Sequence, residues 1–265
     1  MTDLHQIFAR TDETIVAPGR LLLDGGPQRD MAVLLRAGRF ADVGDAAALR
    51  ARHPQARLVE LPDHLLMPGF IDTHTHLTQS LGKSLVFGEP SEIFRRIWVP
   101  LEGSLDEHMV YLSSKLAALE CLRGGFTTAI DAGTRSAGHI GKLALASREV
   151  GLRLVVAQIC NDLGGAAVVP DRPEILRRAG AHLAACQGDP LIHASLAISI
   201  PEAASDGMLR EVSAMAAEAG VTFQTHVNEH LVAVERSLVA HGRRPLEHLA
   251  HVGALGPQTL IAHST

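Results

Sequence analysis

Two histidines, His74 and His76, close a short apolar stretch and are separated by a single residue. Alternate side chains of an extended strand point to the same face, so both imidazoles are expected to point at one spot. Two neutral imidazoles that converge from a strand supply half of the ligands of a zinc-type site. A strand on the surface with two solvated histidines explains this single motif equally well. The other histidines of the chain therefore decide between the two interpretations.

Two further histidines, His226 and His263, each close a segment that is predicted to be a strand. The carboxyl ends of parallel barrel strands meet at one mouth, so these four side chains are expected to lie together. Four histidines at strand ends are difficult to explain as packing, and they predict a metal site. We interpret the remaining histidines of interest as surface or structural residues: His193, His230, His241, His248 and His251.

Three polar residues near these histidines could also take part in chemistry. Glu229 lies three residues after His226, where a carboxylate could move protons to and from a reacting group. An ordinary alternative is a glutamate in the first turn of a helix, which the helix dipole favours. Gln79 follows the histidine pair and could donate to a substrate ring, or it is a simple loop residue. Asp131 ends another strand and is better explained as a supporting residue.

The composition limits the classes of function. A chain of 265 residues with 46% hydrophobic residues can bury a large core in one or two domains. A net charge of −5 without a basic stripe argues against nucleic acid as a partner. Apolar runs of membrane-spanning length and an apolar secretory segment are both missing, so we expect no membrane partner. Three scattered cysteines predict reduced thiols in the cytoplasm.

The elements that must position the histidines fall into two groups. Short strands separated by glycine and proline turns predict a small β-rich domain over residues 1–64. Residues 65–265 alternate between strands and helices, which indicates about six βα units. Their first strand is expected to run from Leu66 to His74, followed by a long loop from Leu77 to Leu105. We predict a (β/α)8 TIM-type barrel, incomplete in this chain. An open doubly wound sheet is the alternative, although no glycine-rich phosphate loop follows a strand.

Together these motifs resemble the amidohydrolase superfamily, in its branch of cytosine, guanine, 8-oxoguanine and S-adenosylhomocysteine deaminases and chlorotriazine hydrolases. The matching stretches, in chain order, are residues 68–80 (PGFIDTHTHLTQS), 124–131 (GGFTTAID), 226–229 (HVNE), 244–249 (RPLEHL) and 262–263 (AH). They extend from the first strand of the predicted barrel to residue 263.

The resemblance implies one divalent metal held by His74, His76 and His226, with zinc preferred and iron(II) also suited to imidazoles. It further implies that Glu229 moves protons, that His263 holds the attacking water or the substrate, and that Gln79 touches the substrate ring. The implied reaction is hydrolytic deamination of an aminated N-heterocycle, such as a purine, pterin, pyrimidine or triazine, by a metal-activated water. The expected partner is therefore this small molecule, and a homo-oligomer is compatible with the sequence.

Alternatives to deamination stay open at this point. One is hydrolysis of a cyclic amide or of a chloro- or alkylamino-triazine. Another is an inactive barrel that serves as a binding or oligomerisation module. Two departures from the family bear on them: no lysine lies near the fourth strand to bridge two metals, and the aspartate expected after an eighth strand is not among these residues. We therefore expect a longer protein, or another segment that completes the barrel.

Overall fold

The computed structural model describes residues 13–88, 93–136, 140–163 and 171–264. The chain divides into two units, Met1–Gly69 and Phe70–Thr265. Residues 1–12 of the predicted first domain and residues 89–92 of the predicted loop lie outside the described part of the chain.

The first unit is built on one five-stranded sheet. Its elements are β1 (Thr14–Leu23), β2 (Gly26–Gln28), β3 (Met31–Arg36), β4 (Arg39–Asp45), α1 (Ala46–Arg52) and β5 (Arg57–Leu66). Strand β1 pairs antiparallel with β2 and β3 and parallel with β5, and β4 pairs antiparallel with β3. Helix α1 packs its buried Leu49 against Ile15 and Leu34 of the sheet. This arrangement agrees with the predicted β-rich character of the region.

The predicted start of the first barrel strand at Leu66 is wrong. Leu66 ends β5 and pairs with Leu21 of β1, whereas the first strand of the second unit begins at Phe70. Pro68 and Gly69 separate the two strands, because proline has no N–H to donate and glycine weakens a strand. The apolar run that we read as one strand therefore belongs to two different sheets.

The second unit contains six parallel strands whose order in the sheet follows their order in the chain. These strands are β6 (Phe70–Thr75), β7 (Phe126–Asp131), β8 (Arg153–Ile159), β9 (Ile192–Ala197), β10 (Thr222–Val227) and β11 (Thr259–His263). The ring centroids of His74 on β6 and His263 on β11 lie 5.3 Å apart, although these are the two outermost strands. The sheet therefore curves until the carboxyl ends of its edge strands meet, as in a barrel.

Helices connect the strands, and three of them begin at a residue whose side chain caps the first turn. The helices are α2 (Val99–Ser104), α3 (Glu107–Arg123), α4 (Ile140–Val150), α5 (Arg172–Ala185), α6 (Asp206–Glu218), α7 (Leu231–His241) and α8 (Pro245–His251). The side chains of Asp106, Asp171 and Ser205 each accept from a backbone N–H in the first turn of α3, α5 and α6, respectively. Each cap satisfies one of the N–H groups that a helix start leaves unpaired. No helix among the described residues is long and apolar enough to cross a bilayer.

The segment predicted as a long loop after His76 is largely helical. It contains a 3₁₀ segment over Leu77–Val86 and a π-helical turn over Phe94–Trp98, followed by α2. The hydroxyl of Ser113 on α3 donates to the carbonyl of Thr78, and Leu77 is fully buried. Packing on α3 therefore holds this stretch, in which Leu77, Leu81 and Leu85 recur at a helical spacing that the loop prediction did not take into account.

The core of the second unit consists of strand side chains packed under the helices. Leu154 on β8 is completely buried in a cluster with Leu143 of α4 and Ile192 of β9. Burial of a leucine side chain of this kind contributes about 1.5–3 kcal/mol through apolar area alone.

We expect Leu154→Ala to lower the free energy of unfolding by about 2–5 kcal/mol, because it removes buried methyl groups and leaves a cavity. Leu145→Ala on α4 is the matched control, since Leu145 is 40% exposed. Urea unfolding followed by circular dichroism measures both changes. Equal losses in the two variants would contradict the assignment of Leu154 to the core.

Candidate metal centre

Four imidazoles from three strands converge at the carboxyl ends of the parallel sheet. The ring centroid of His74 lies 5.0 Å from that of His76, 4.8 Å from that of His226 and 5.3 Å from that of His263. One ligand atom from each of His74, His226 and His263 can be chosen so that all three lie within 4.8 Å of one another. The four histidines singled out in the sequence are thus brought together, although residues 74 and 263 are far apart in the chain.

The closest nitrogens of this group belong to His76 and His226, whose Nε2 atoms lie 3.2 Å apart. His226 Nδ1 donates to the carbonyl oxygen of Ser199 at 2.6 Å. This bond fixes the tautomer, so His226 Nε2 carries a lone pair directed at its neighbour. His76 Nδ1 is buried and makes no hydrogen bond within the described part of the chain.

Burial keeps three of these imidazoles in the neutral, metal-ligating form. Desolvation, with the neighbouring histidines and Arg135, lowers the pKa of His76 well below its usual range. Desolvation also lowers the pKa of His226 to about 4, helped by His74 and opposed by the bond to Ser199. The pKa of His74 is lowered by burial and by His263, against the pull of nearby carboxylates. Neutral imidazole is the form in which histidine ligates metals.

The donor set fits a divalent metal. Nitrogens that bind one tetrahedral zinc at about 2.0–2.1 Å lie about 3.3 Å apart, close to the spacing of the two Nε2 atoms. In the metal-free chain a neutral His76 with its proton on Nε2 donates to the lone pair of His226 Nε2. The depressed pKa values keep both rings neutral, so a metal can replace this proton when it binds. Imidazoles suit zinc and iron(II) alike.

Glu229 lies beside this group and is oriented by a sharp turn after β10. The intervening Asn228 has a positive φ of 54°, a conformation that asparagine tolerates better than most residues. One Glu229 carboxylate oxygen lies 3.9 Å from His263 Nε2 and 3.3 Å from His230 Nε2. A cleft next to His226 is lined by Asn228, Glu229 and His230, among others.

Gln79 takes part in a buried polar network centred on a carboxylate that sequence reasoning missed. Gln79 Nε2 donates to Glu102 Oε1 at 3.0 Å, and Glu102 is completely buried. The Arg135 guanidinium donates to the other carboxylate oxygen at 2.7 Å and stacks over the Phe94 ring at 4.2 Å. The predicted contact between Gln79 and a substrate ring stays a prediction, since its side-chain amide donates to Glu102 in this structure.

Asp131 supports the segment that carries His76. Its carboxylate accepts the backbone N–H of Leu77 at 2.7 Å and that of Gly133 at 2.8 Å. Complete burial raises the pKa of Asp131 to about 7, although both N–H groups favour the charged form. Gly133 has a φ of +88°, and a Cβ there would lie 2.6 Å from the Ala157 carbonyl oxygen, so only glycine fits. These contacts agree with the supporting role inferred for Asp131.

Three residues near the centre gave no clear indication in the sequence. Glu102 and Arg135 follow irregular segments in which no periodic pattern marks them as buried. His230 was grouped with surface or structural histidines because it adjoins a helical segment, but it contacts the Glu229 carboxylate. Its position directly after the histidine–glutamate motif was the available indication.

Comparison with known proteins identifies the family of the chain. Residues 65–265 match the model of the amidohydrolase family, and residues 32–56 match an imidazolonepropionase-like composite domain of bacteria. The chain is 30% identical over 256 residues to a 5'-deoxyadenosine deaminase of Methanothermobacter thermautotrophicus, covering 95% of this chain and 57% of that protein. It is 31% identical over 258 residues to a 5-methylthioadenosine/S-adenosylhomocysteine deaminase of Syntrophobacter fumaroxidans, covering 96% and 58%.

Solved structures share the fold. An adenosine deaminase from Xanthomonas campestris with bound zinc superposes with a TM-score of 0.83 at 24% identity, over 94% of this chain and 56% of that one. A guanine deaminase from C. acetobutylicum with bound guanine gives 0.84 at 14% identity, over 95% and 62%. The chain thus spans less than two thirds of the length of these relatives. The predicted TIM-type barrel, of which six strands are present here, is confirmed as the fold class.

The depressed pKa of His226 predicts that the metal-free protein loses stability in acid. The unfolded chain binds a proton at His226 near pH 6.5, whereas the folded chain binds it only near pH 4. Stability present at pH 7 is therefore lost as the pH falls through this window, by about 3 kcal/mol from this residue alone. Urea unfolding between pH 7 and pH 4, with a chelator present, measures the loss.

For His226→Asn, the loss of unfolding free energy between pH 7 and pH 4 should be smaller than in the wild type by about 3 kcal/mol. His108→Asn is the control, since His108 is an exposed histidine on α3. A pH dependence that is the same in the wild-type chain and in His226→Asn would refute the argument.

Proposed function

We propose that this chain, which belongs to the amidohydrolase family, contributes the metal centre of a deaminase that acts on an aminated N-heterocycle. The observation that carries the proposal is the convergence of His74, His76 and His226, with the Glu229 carboxylate beside them. Since the chain spans just over half of the length of its relatives, the activity and substrate of the whole protein are part of the proposal.

We assign His74, His76 and His226 as the ligands of one divalent metal, zinc in preference to iron(II). When bound, such a metal supplies Lewis-acid chemistry and lowers the pKa of water toward neutrality. Ser199 holds His226 in the ligating tautomer through its carbonyl oxygen. Asp131 anchors the backbone directly after His76 and so fixes the position of this ring.

Glu229 is the residue that moves protons in this proposal. Water adds to the carbon that bears the amino group, and Glu229 accepts the proton that the water loses. The carboxyl group passes this proton to a ring nitrogen as the C–O bond forms. Glu229 then takes the second proton, from the hydroxyl group of the tetrahedral adduct, and passes it to the amino group, so that the C–N bond breaks, ammonia leaves and a carbonyl remains. His263 Nε2 and His230 Nε2 both lie near the same carboxylate oxygen of Glu229, at 3.9 Å and 3.3 Å.

His263 also faces His74 and His226, and it is therefore placed to donate to the oxygen that develops negative charge at the reacting carbon. Gln79, whose amide is bonded to the buried Glu102, is the residue that we assign to contact the substrate ring. We propose an adenine-type nucleoside as the substrate, because the two relatives at 30–31% identity carry the names of deaminases for such compounds. A cytoplasmic location stays a prediction that rests on the three free cysteines.

Glu229→Gln should reduce ammonia release from 5'-deoxyadenosine or adenosine by at least about 100-fold, the lower range for a general acid–base residue. Bound zinc should stay, because the glutamine replaces no proposed ligand. Glu235→Gln is the matched control on α7, since Glu235 is exposed. A coupled ammonia assay together with metal analysis separates the outcomes.

Unchanged turnover in Glu229→Gln would reject its role. A wild-type protein that binds zinc and releases no ammonia from these nucleosides or from a guanine and triazine panel would favour the inactive binding module instead.

Replacing a proposed ligand should weaken zinc binding. We expect His76→Asn to lose at least about 10- to 100-fold in zinc affinity, since even residues that only support a ligand cause losses of this size. His193→Asn is the control, because His193 is an exposed histidine on β9. Competition with a chromophoric chelator gives both affinities, and equal affinities would remove His76 from the ligand set.

A further inference from the structure

A second group of metal-ligating side chains lies outside the centre described above. Asp206 at the start of α6, His241 at the end of α7 and His248 on α8 can each offer one ligand atom, and these atoms all lie within 4.8 Å of one another. The three residues come from three different helices. Their proximity is thus a product of the tertiary fold and not of helical spacing along one element.

The contacts within this group are close. His248 Nε2 lies 3.0 Å from Asp206 Oδ1. The rings of His241 and His248 stack with a centroid distance of 3.8 Å and an interplanar angle of 18°. The Asp206 side chain is half-exposed, so ions in the solvent can reach the group.

His248 provides an independent indication of a missing partner. The residue is 3% exposed, and its Nδ1 atom is buried without a hydrogen bond in the described part of the chain. Buried polar atoms of native proteins are nearly always satisfied, so this nitrogen is available to a ligand. It lies on the ring edge opposite Nε2, which faces Asp206, so the ring must turn over for Nδ1 and Asp206 to bind one ion.

We propose that Asp206, His241 and His248 form a second divalent-metal site, of the zinc type, that links α6, α7 and α8. Two imidazoles and one carboxylate are a donor set that zinc accepts, with solvent completing the coordination. Burial and the neighbouring His241 lower the pKa of His248, which keeps its ring in the neutral form that ligates metals. The site takes no part in the proposed deamination and does not depend on it.

The charges that face His248 favour a cation. Asp206 is the carboxylate in contact with it, and His241 and His251 are the titratable groups that act on it from α7 and from its own helix. The Asp206 carboxylate supplies the negative charge of the group. A divalent cation bound there would also hold the end of α7 to the starts of the two other helices.

The test is zinc stoichiometry in equilibrium dialysis of the full chain, with zinc measured by atomic spectroscopy. We expect the wild-type chain to bind one more zinc than His241→Asn and Asp206→Asn. Both replaced side chains are partly or well exposed, so these variants should fold, and circular dichroism checks that they do. His251→Asn is the matched control: His251 is an exposed histidine on α8 outside the group, and its variant should bind as much zinc as the wild type.

The comparison of bound zinc per chain between the wild type and the two variants does not depend on whether the first centre binds metal. The test therefore stays decisive even if the proposed deaminase activity is not found. Equal zinc content in the wild type and in both variants would overturn the proposal. Retention of the additional zinc in Asp206→Asn alone would overturn the three-residue site. An equal loss in His251→Asn would overturn it as well, because it would indicate unspecific binding to surface histidines.

Discussion

The close approach of buried, neutral imidazoles is the constraint on which the rest of the second unit depends. His76 and His226 present nitrogens to each other at 3.2 Å, and His74 and His263 lie within stacking distance of them. Burial lowers the pKa of His76 and His226, so each of these two rings carries one N–H and one lone pair, and a single hydrogen bond joins them in the metal-free chain. The fold must hold the rings together through other contacts as well, or through a cation that they share.

These other contacts come from the backbone at the ends of the strands. The Ser199 carbonyl after β9 accepts from His226, and Asp131 at the end of β7 binds the backbone that follows His76. Gly133 allows the close turn by which a second N–H reaches Asp131. His226 and the backbone that follows His76 are thus oriented by neighbouring strands, whereas the backbone N–H of His74 donates to Asp72 of its own strand. This is a common way of arranging ligands at the mouth of a parallel barrel.

The sequence allowed the strand-end histidines and Glu229 to be identified as a group, because a short apolar run followed by histidine is a local pattern. The alternation of strands and helices similarly predicted the parallel sheet. The prediction missed the end of one strand before Pro68. Apolar residues stand on both sides of this break, and apolar character alone does not indicate which of two sheets a residue joins. Glu102 could not be found in this way. Its burial depends on Arg135 and Gln79, which pair with it through tertiary contacts that no local periodicity records.

In the second unit, strands that follow each other in the chain are neighbours in the sheet, and this order affects how the unit folds during synthesis on the ribosome. Each strand of the second unit pairs with the strand synthesised just before it, so the sheet can grow by one neighbour at a time. The contact between His74 and His263, in contrast, joins the first of these strands to the sixth. Closing such a long loop costs only slightly more entropy than closing a short one, but it must wait for the later residues. The imidazoles of the opening strand consequently emerge early and stay without their full set of neighbours until translation has passed the sixth strand.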